Sequence, residues 1–156
     1  TRLEHVTGVQ TCALPIYPEK SQELWRGGWL HTGDLAVVDK YGYIHIVDRE
    51  KDAVKSGGEF IPTLIVENAI SEVKGVNEVA VVGVPNEKWG ERPVAFVTKN
   101  GEVSEREIYD HLDKHVQMGR LQKWWIPDKI IFIDSMPRTS TNKIDKKELR
   151  KQYTGS

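Results

Sequence analysis

The stretch VDREKDAVKSGGE, Val47 to Glu59, separates two kinds of sequence pattern in this chain. Before it, Leu35–Val38 and Tyr43–Val47 are short apolar, β-prone runs on either side of the turn-forming residues Asp39–Gly42, which predicts a β-hairpin. Within it, the pair Gly57-Gly58 predicts a loop, because paired glycines allow either a tight turn or a close approach of the backbone to a ligand. We therefore expect a structural boundary here.

Helix signals follow this stretch. Thr63 is predicted to cap a helix with one apolar stripe, and Gly75 is predicted to end it. The sequence SERE, Ser104–Glu107, is a capping box that predicts the start of a second helix. Asp145 and Glu148 predict a weaker cap for a last helix.

Strand patterns alternate with these helices. Glu78–Val84 and Pro93–Thr98 are predicted strands joined by the polar loop Pro85–Arg92, and Lys129–Ile133 is a third predicted strand. We therefore predict an α+β fold from about Asp48 to Tyr153, with a short antiparallel sheet flanked by helices. The hairpin before it is predicted to be the remnant of a larger domain.

Composition narrows the classes of function. The chain of 156 residues has 22 basic and 23 acidic residues, so its net charge of −1 argues against bulk electrostatic binding of nucleic acid. The locally basic run KIDKKELRK, Lys143–Lys151, is therefore interpreted as a solvated helix face. One cysteine, Cys12, leaves no basis for disulfides and fits a cytoplasmic location. No apolar run approaches the roughly 18 residues that a membrane span needs.

The N-terminal residues do not resemble the rest of the chain. Polar residues and a glycine interrupt the segment Val6–Tyr17, so it does not predict a signal peptide. A common short-read sequencing adapter translates, in a single frame, to Val6–Ile16. We therefore predict that residues 1–16 are adapter-derived rather than native, and that they pack against nothing.

Three polar clusters remain once the apolar positions are assigned to a core. In the first, Asp34 lies at the mouth of a strand, where a carboxylate could accept two hydroxyl hydrogen bonds from a ribose or could cap turn amides. The second runs from Asp48–Lys51 into the Gly57-Gly58 loop. In the third, Lys143 projects from a polar loop and could bind a carboxylate or phosphate, or could simply be solvated.

In this order and spacing, the motifs GWLHTGD, VDREKDAVKSGGE and PRTSTNKI resemble the adenylate-forming family of acyl-CoA synthetases, luciferases and peptide-synthetase adenylation domains. KWGERPVA and KWWIPD are more similar to its medium- and long-chain fatty acyl-CoA ligases. The resemblance implies that residues 17–48 end the large AMP-binding domain, that residues 49–153 form the small C-terminal lid domain, and that residues 154–156 are a tail. The family's ATP-phosphate loop and most of its acyl pocket would lie upstream.

The resemblance also implies roles for individual residues. Asp34 and Arg49 would bind the ribose hydroxyls of AMP, and we expect them to face each other across the hairpin. Lys51 would lie at the hinge about which the lid turns. Lys143 would reach the acyl carboxylate and the ATP phosphates, although Asn142 stands where the family usually has glycine.

The CoA-binding residues implied by the resemblance are of two kinds. A glycine loop would line the pantetheine channel, and it consists of Ser56, Gly57, Gly58 and Glu59. Trp124 is expected to offer a face to the CoA adenine, with Lys123 or Arg120 near the CoA phosphates. Tryptophans before a proline such as Pro127 also pack cores, and that alternative stays open.

The predicted function is that of the C-terminal part of an ATP-dependent, AMP-forming fatty acyl-CoA ligase, inactive alone. Its expected partners are small molecules, namely the acid, ATP and CoA, with Mg²⁺ held mainly by the upstream domain and no metal ligands in this chain. A ligase for aryl or dicarboxylic acids is one alternative. A free-standing, non-catalytic interaction module made from a lid domain is another.

Overall fold

The computed structural model describes the backbone of residues 4–7 and all atoms of residues 18–154. These residues divide between Lys51 and Asp52 into two compact units. The division lies close to the boundary predicted between Asp48 and Arg49. No helix in the described ranges is long and apolar enough to cross a membrane.

The first unit is built on a hairpin. Helix α1 (Pro18–Leu24) and a short 3-10 helix (Arg26–Gly28) precede strands β2 (His31–Val38) and β3 (Ile44–Arg49), which pair antiparallel. At the tip, Asp39 Oδ1 accepts hydrogen bonds from the backbone amides of Tyr41 at 2.8 Å and Tyr43 at 2.9 Å. The predicted hairpin and its turn are therefore confirmed.

A further strand, β1 (Glu4–Thr7), pairs antiparallel with β2. The prediction that residues 1–16 pack against nothing is therefore wrong for these four residues. The physical reason is that the edge of a two-stranded hairpin offers unpaired N–H and C=O groups, which accept extended backbone whatever its side chains. The other residues of this segment, Leu14 and Ile16 included, lie outside the described ranges. The adapter origin of residues 1–16 stays a prediction.

The second unit contains a mixed sheet. Its strands are β4 (Val54–Ser56), β5 (Glu59–Ile61), β6 (Val76–Asn86), β7 (Gly90–Lys99) and β8 (Lys129–Phe132). They form the order β5-β4-β7-β6, with β8 also paired to β7. The predicted antiparallel sheet is confirmed for β4 to β7, whereas β8 runs parallel to β7. A parallel neighbour needs a crossover connection, which here includes a helix.

Helices cover both faces of this sheet. They are α2 (Thr63–Ser71), α3 (Glu105–Gln117) and α4 (Lys146–Thr154). Successive residues of β6 point to opposite faces, so Val81 packs with the residues of α2 and α3, while Val82 packs with Leu149 of α4. Burial on both faces explains why β6 and β7 have almost continuous apolar sequences.

The helix caps are partly as predicted. The capping box at Ser104 is present, and the hydrogen bonds from the Ser104 hydroxyl and amide lower the pKa of the Glu107 carboxyl. Asp145 Oδ1 accepts the backbone amide of Glu148 at 3.0 Å, as predicted for the last helix. Thr63 does not cap α2, because its hydroxyl is buried and accepts a hydrogen bond from Lys146 Nζ instead.

Two predicted boundaries also shift. Helix α2 ends at Ser71, before the predicted stop at Gly75. The predicted loop Pro85–Arg92 is much shorter, because pairing continues to Asn86 opposite Gly90. Asn86 Oδ1 makes this tight connection possible by accepting the amides of Lys88 and Trp89, both at 3.0 Å.

Candidate functional site

In the first unit, Asp34 and Arg49 are cross-strand partners on β2 and β3. Arg49 Nε lies 3.8 Å from Asp34 Oδ1, and the two side chains are 61% and 24% exposed, respectively. The expectation that these residues face each other is confirmed. The Asp34 carboxylate caps no backbone amide in the described part of the chain, so the alternative of a turn-capping aspartate is not favoured.

The backbone around this pair is held in place by neighbouring groups. Asp48 is buried, and its Oδ1 accepts the backbone amide of Arg49 at 2.7 Å. The amide of Glu50 donates to the carbonyl of Gly33 at 2.8 Å. Lys51, the predicted hinge residue, is exposed and is the last residue of the first unit.

In the second unit, the predicted glycine loop borders an open cleft of about 280 Å³. Ser56, Gly57 and Glu59 line it, as expected for a channel, whereas Gly58 is not among the lining residues. The Gly57 amide donates to the Trp89 carbonyl at 2.8 Å, and a Cβ on Gly57 would lie 3.1 Å from the Trp89 ring. Together with its φ of +61°, this close approach explains the glycine.

Arg92 organises one wall of this cleft, a role that the sequence did not reveal. Its guanidinium donates to both Asp128 carboxylate oxygens, with an Nη2–Oδ1 distance of 2.7 Å. It also donates to the Trp124 carbonyl at 3.0 Å and to the Ser56 hydroxyl at 3.3 Å. Arg92 therefore joins its own strand to β4 and to the segment Trp124–Asp128 at the wall of the cleft.

Trp124 has two kinds of surroundings, and its contact with the CoA adenine stays a prediction. It packs against the core of the second unit, and it also lines the cleft. Lys123 and Arg120 are exposed, and neither lines the cleft. Trp89 and Arg92 line it instead, and only their place in the motif KWGERPVA could have suggested them.

Lys143 lies on a tight turn. The Asn142 amide donates to the Thr139 carbonyl at 2.9 Å, and the Thr139 amide donates to the Lys143 carbonyl at 2.8 Å. Asn142 has a φ of +62°, so asparagine adopts the left-handed backbone expected of it in place of glycine. Lys143 is exposed, and its ammonium has no hydrogen bond or ion pair with any residue that the structure describes.

The Lys143 turn is anchored at its base. The Arg138 guanidinium donates to the Asn142 carbonyl at 2.9 Å and also pairs with the Glu78 carboxylate. Arg138 and Ile144 form an antiparallel bridge across the turn. The backbone that carries Lys143 is therefore held while its ammonium stays available.

A nearby lysine in the sequence has the opposite environment. Lys146 Nζ lies 2.7 Å from Glu67 Oε1 and donates to the Thr63 hydroxyl at 2.8 Å. Glu67 Oε1 also accepts the backbone amide of Val81 at 2.7 Å. The Lys146 and Glu67 side chains are only 16% and 12% exposed, so this lysine joins α4 to α2 and β6.

Known proteins are similar to this chain in sequence. Residues 65–143 match the family model of the AMP-binding enzyme C-terminal domain. The 3-methylmercaptopropionyl-CoA ligase of Ruegeria lacuscaerulensis is 41% identical over 136 residues, which are 86% of this chain and 24% of that protein. A long-chain-fatty-acid–CoA ligase of Thermus thermophilus is 44% identical over 126 residues, or 81% of this chain and 23% of that protein.

A solved structure agrees with these sequence relatives. The o-succinylbenzoate CoA synthetase of Bacillus subtilis, in complex with its acyl-adenylate intermediate, superposes with a TM-score of 0.77 at 32% identity. The match covers 86% of this chain and 27% of that one. The chain thus spans about a quarter of the length of its relatives. It belongs to the AMP-binding enzymes, and it carries their C-terminal domain.

Proposed function

We propose that this chain is the C-terminal part of an AMP-forming acyl-CoA ligase that acts on a fatty acid. In the first half-reaction, a carboxylate oxygen attacks the α-phosphorus of ATP and pyrophosphate leaves. In the second, the CoA thiolate attacks the acyl carbon of acyl-AMP and AMP leaves. Mg²⁺ would shield the phosphates, and we assign no residue of this chain to it. We also propose that the protein is cytoplasmic, because its proposed substrates include ATP and CoA.

The environment of Lys143 carries this proposal. An ammonium that is exposed, without a partner in the described ranges and mounted on an anchored turn is suited to stabilise an external negative charge. Lys146, three positions along, is already neutralised by Glu67. The contrast between these two lysines favours Lys143 as the residue that reaches the reacting carboxylate and phosphates.

The lid's contribution can be tested in a chimera. Residues 18–154 would replace the matching C-terminal segment of the Thermus thermophilus long-chain ligase, and acyl-CoA formation from a long-chain acid, ATP and CoA would be measured. We expect the chimera to complete both half-reactions and the 156-residue chain alone to complete neither. A folded chimera that forms neither acyl-AMP nor thioester would contradict the proposal.

The Asp34–Arg49 pair supports binding of the AMP ribose. A carboxylate on an exposed strand pair, with an arginine as its described partner, can accept both ribose hydroxyls. Asp34→Ala in the chimera should weaken ATP binding, because hydrogen bonds to a charged group contribute about 1.5–3 kcal/mol each. We expect the KM for ATP to rise about 10-fold or more, measured in the adenylation step. A matching rise in the KM for CoA would instead indicate misfolding.

The cleft beside the glycine loop supports a channel for the CoA thiol arm. Two tryptophans and the small residues Ser56 and Gly57 line it and suit a long, mainly uncharged ligand. Two charged residues, Glu59 and Arg92, also line it, and the charge of Arg92 is paired with Asp128. Trp124 is proposed to stack on the CoA adenine, and stacking of a base on an aromatic ring contributes about 1–3 kcal/mol. Trp124→Ala should therefore raise the KM for CoA about 10-fold. The KM for ATP should change far less. Equal changes in both constants would favour a purely structural role for Trp124.

The proposal also names the class of carboxylic acid that the ligase activates, namely a fatty acid. The relatives bear names of ligases for long-chain fatty acids, 3-methylmercaptopropionate and 2-succinylbenzoate. The motifs KWGERPVA and KWWIPD support a fatty acid for this protein. The full-length ligase that contains this C-terminal part would be assayed with long-chain, aryl and dicarboxylic acids. A preference for either of the last two classes would replace the fatty-acid proposal and leave the proposed reaction unchanged.

A further inference from the structure

Two imidazoles and one carboxylate converge between α2 and α3. His111 and His115 lie one turn apart on the same face of α3, and Glu72 is the C-cap residue of α2. Glu72 Oε2 lies 3.1 Å from His115 Nε2 and 3.4 Å from His111 Nε2. The three possible ligand atoms all lie within 4.8 Å of one another.

The site is closed on one side and open on the other. The side chains of His115 and His111 are 9% and 28% exposed, whereas that of Glu72 is 54% exposed. His111 Nε2 is itself buried and has no hydrogen-bond partner among the residues that the structure describes. Buried polar atoms are rarely left without a partner in folded proteins, so this nitrogen calls for an additional group at the site.

We propose that Glu72, His111 and His115 bind a zinc ion. Tetrahedral zinc holds nitrogen and oxygen ligands at about 2.0–2.1 Å, which separates pairs of ligand atoms by about 3.3 Å. The two separations measured from Glu72 Oε2, 3.1 and 3.4 Å, match this geometry. The same ion would give His111 Nε2 its missing partner. A water molecule from the open side would complete the coordination.

The donor set selects zinc over the magnesium used with ATP. Imidazole nitrogens suit zinc, whereas magnesium prefers six oxygen ligands in octahedral geometry.

The other two histidines whose side chains are described lie in the first unit and have other partners. His31 contacts the carbonyl of Arg26, and His45 contacts the carboxylate of Asp39. The site lies within the second unit and would fasten the end of α2 to α3. It departs from the sequence expectation that this chain holds no metal.

Calorimetric titration of the chelator-washed 156-residue chain with zinc chloride tests the proposal. We expect one zinc ion per chain and no saturable binding of magnesium. His111→Ala should weaken zinc binding about 100-fold or more, because loss of an outer-shell group alone already costs about 10–100-fold. His45→Ala, which removes a histidine from the first unit, should leave the affinity unchanged.

A second variant separates metal binding from folding. His115→Gln keeps a side-chain donor for Glu72, so it should stay folded by circular dichroism while it loses zinc binding. Zinc should raise the melting temperature of the original chain but not that of His115→Gln, and cobalt(II) should give the visible absorption of a tetrahedral site only in the original chain. Zinc binding of equal affinity in His111→Ala, His115→Gln and the original chain, or no binding by any of the three, would overturn the proposal. Neither outcome depends on ligase activity.

Discussion

Lys143→Ala should lower the rate of acyl-AMP formation by about 10²–10³-fold in the chimeric ligase. Negative charge builds up where the attacking carboxylate oxygen meets the α-phosphate, and an ammonium placed there stabilises the transition state more than the ground state. Loss of one such preorganised donor removes about 2.7–4 kcal/mol of stabilisation. Formation of radiolabelled pyrophosphate or acyl-AMP in a single turnover would measure the effect.

The same variant should leave the second half-reaction nearly unchanged. In the proposed cycle the lid turns between the two steps, so the turn that carries Lys143 is away from the acyl group when CoA attacks. Thioester formation from supplied acyl-AMP would measure this step separately. Equal losses in both steps would point to a folding defect, and no loss in either would leave Lys143 as a solvated surface residue.

A neighbouring lysine offers a matched control for this experiment. Lys147 is exposed on the first turn of α4, so Lys147→Ala removes the same charge from the same part of the chain. We expect it to retain full activity in both half-reactions. Lys143→Arg keeps the charge but spreads it over a larger planar group, and we expect it to recover only part of the adenylation rate.

Local sequence patterns predicted the features that depend on local chemistry. Asp39 forms its turn with amides two and four residues away, and Ser104 forms its capping box with a residue three positions on. Asn142 adopts the backbone that a short polar side chain tolerates. The turn between Asp34 and Arg49 predicted that they lie near each other across the hairpin. Their direct pairing also depends on a bulge that shifts the register between Leu35 and Ala36, which the sequence did not predict.

Contacts between distant segments could not be predicted in this way. Arg92 reaches Asp128 and Ser56, each 36 positions away, and Lys146 reaches Thr63, 83 positions away. The predicted cap at Thr63 was wrong for this reason, since the largely buried Lys146 side chain donates to the same hydroxyl. The sequence HLDKH contains both histidines of the proposed zinc site, but its third ligand comes from another helix.

The resemblance to known enzymes predicted the candidate site more fully than the residue patterns did. Spacing alone left Asp34, Gly57 and Lys143 each with an ordinary alternative. The structure weakens the ordinary alternative for Asp34 and shows a packing reason for Gly57. The resemblance was less useful for Lys123 and Arg120. Both side chains are exposed near the KWWIPD motif, but neither lines the cleft.

Lys146→Ala should destabilise the second unit by about 3 kcal/mol, although Lys146 takes no part in the proposed chemistry. Removing one partner of a buried ion pair leaves the other charge without compensation, which costs about 3–5 kcal/mol. Here the variant would leave the Glu67 carboxylate, 12% exposed, with the Val81 amide as its remaining described donor. We place the effect at the lower end because both side chains keep some contact with solvent. Urea unfolding of the 156-residue chain would measure it.

Two further variants decide whether charge burial is the cause. The double variant Lys146→Met with Glu67→Gln removes both charges while the glutamine carbonyl can still accept the Val81 amide, so it should recover most of the lost stability. Lys147→Ala removes an exposed lysine and should change the unfolding free energy by less than about 0.5 kcal/mol. If Lys146→Ala lost no more stability than Lys147→Ala, the Lys146–Glu67 pair would be solvent-screened like a surface ion pair, and the prediction would be wrong.

A chimera carrying Lys146→Ala should lose both half-reactions in proportion to its unfolded fraction, unlike the step-specific loss expected for Lys143→Ala.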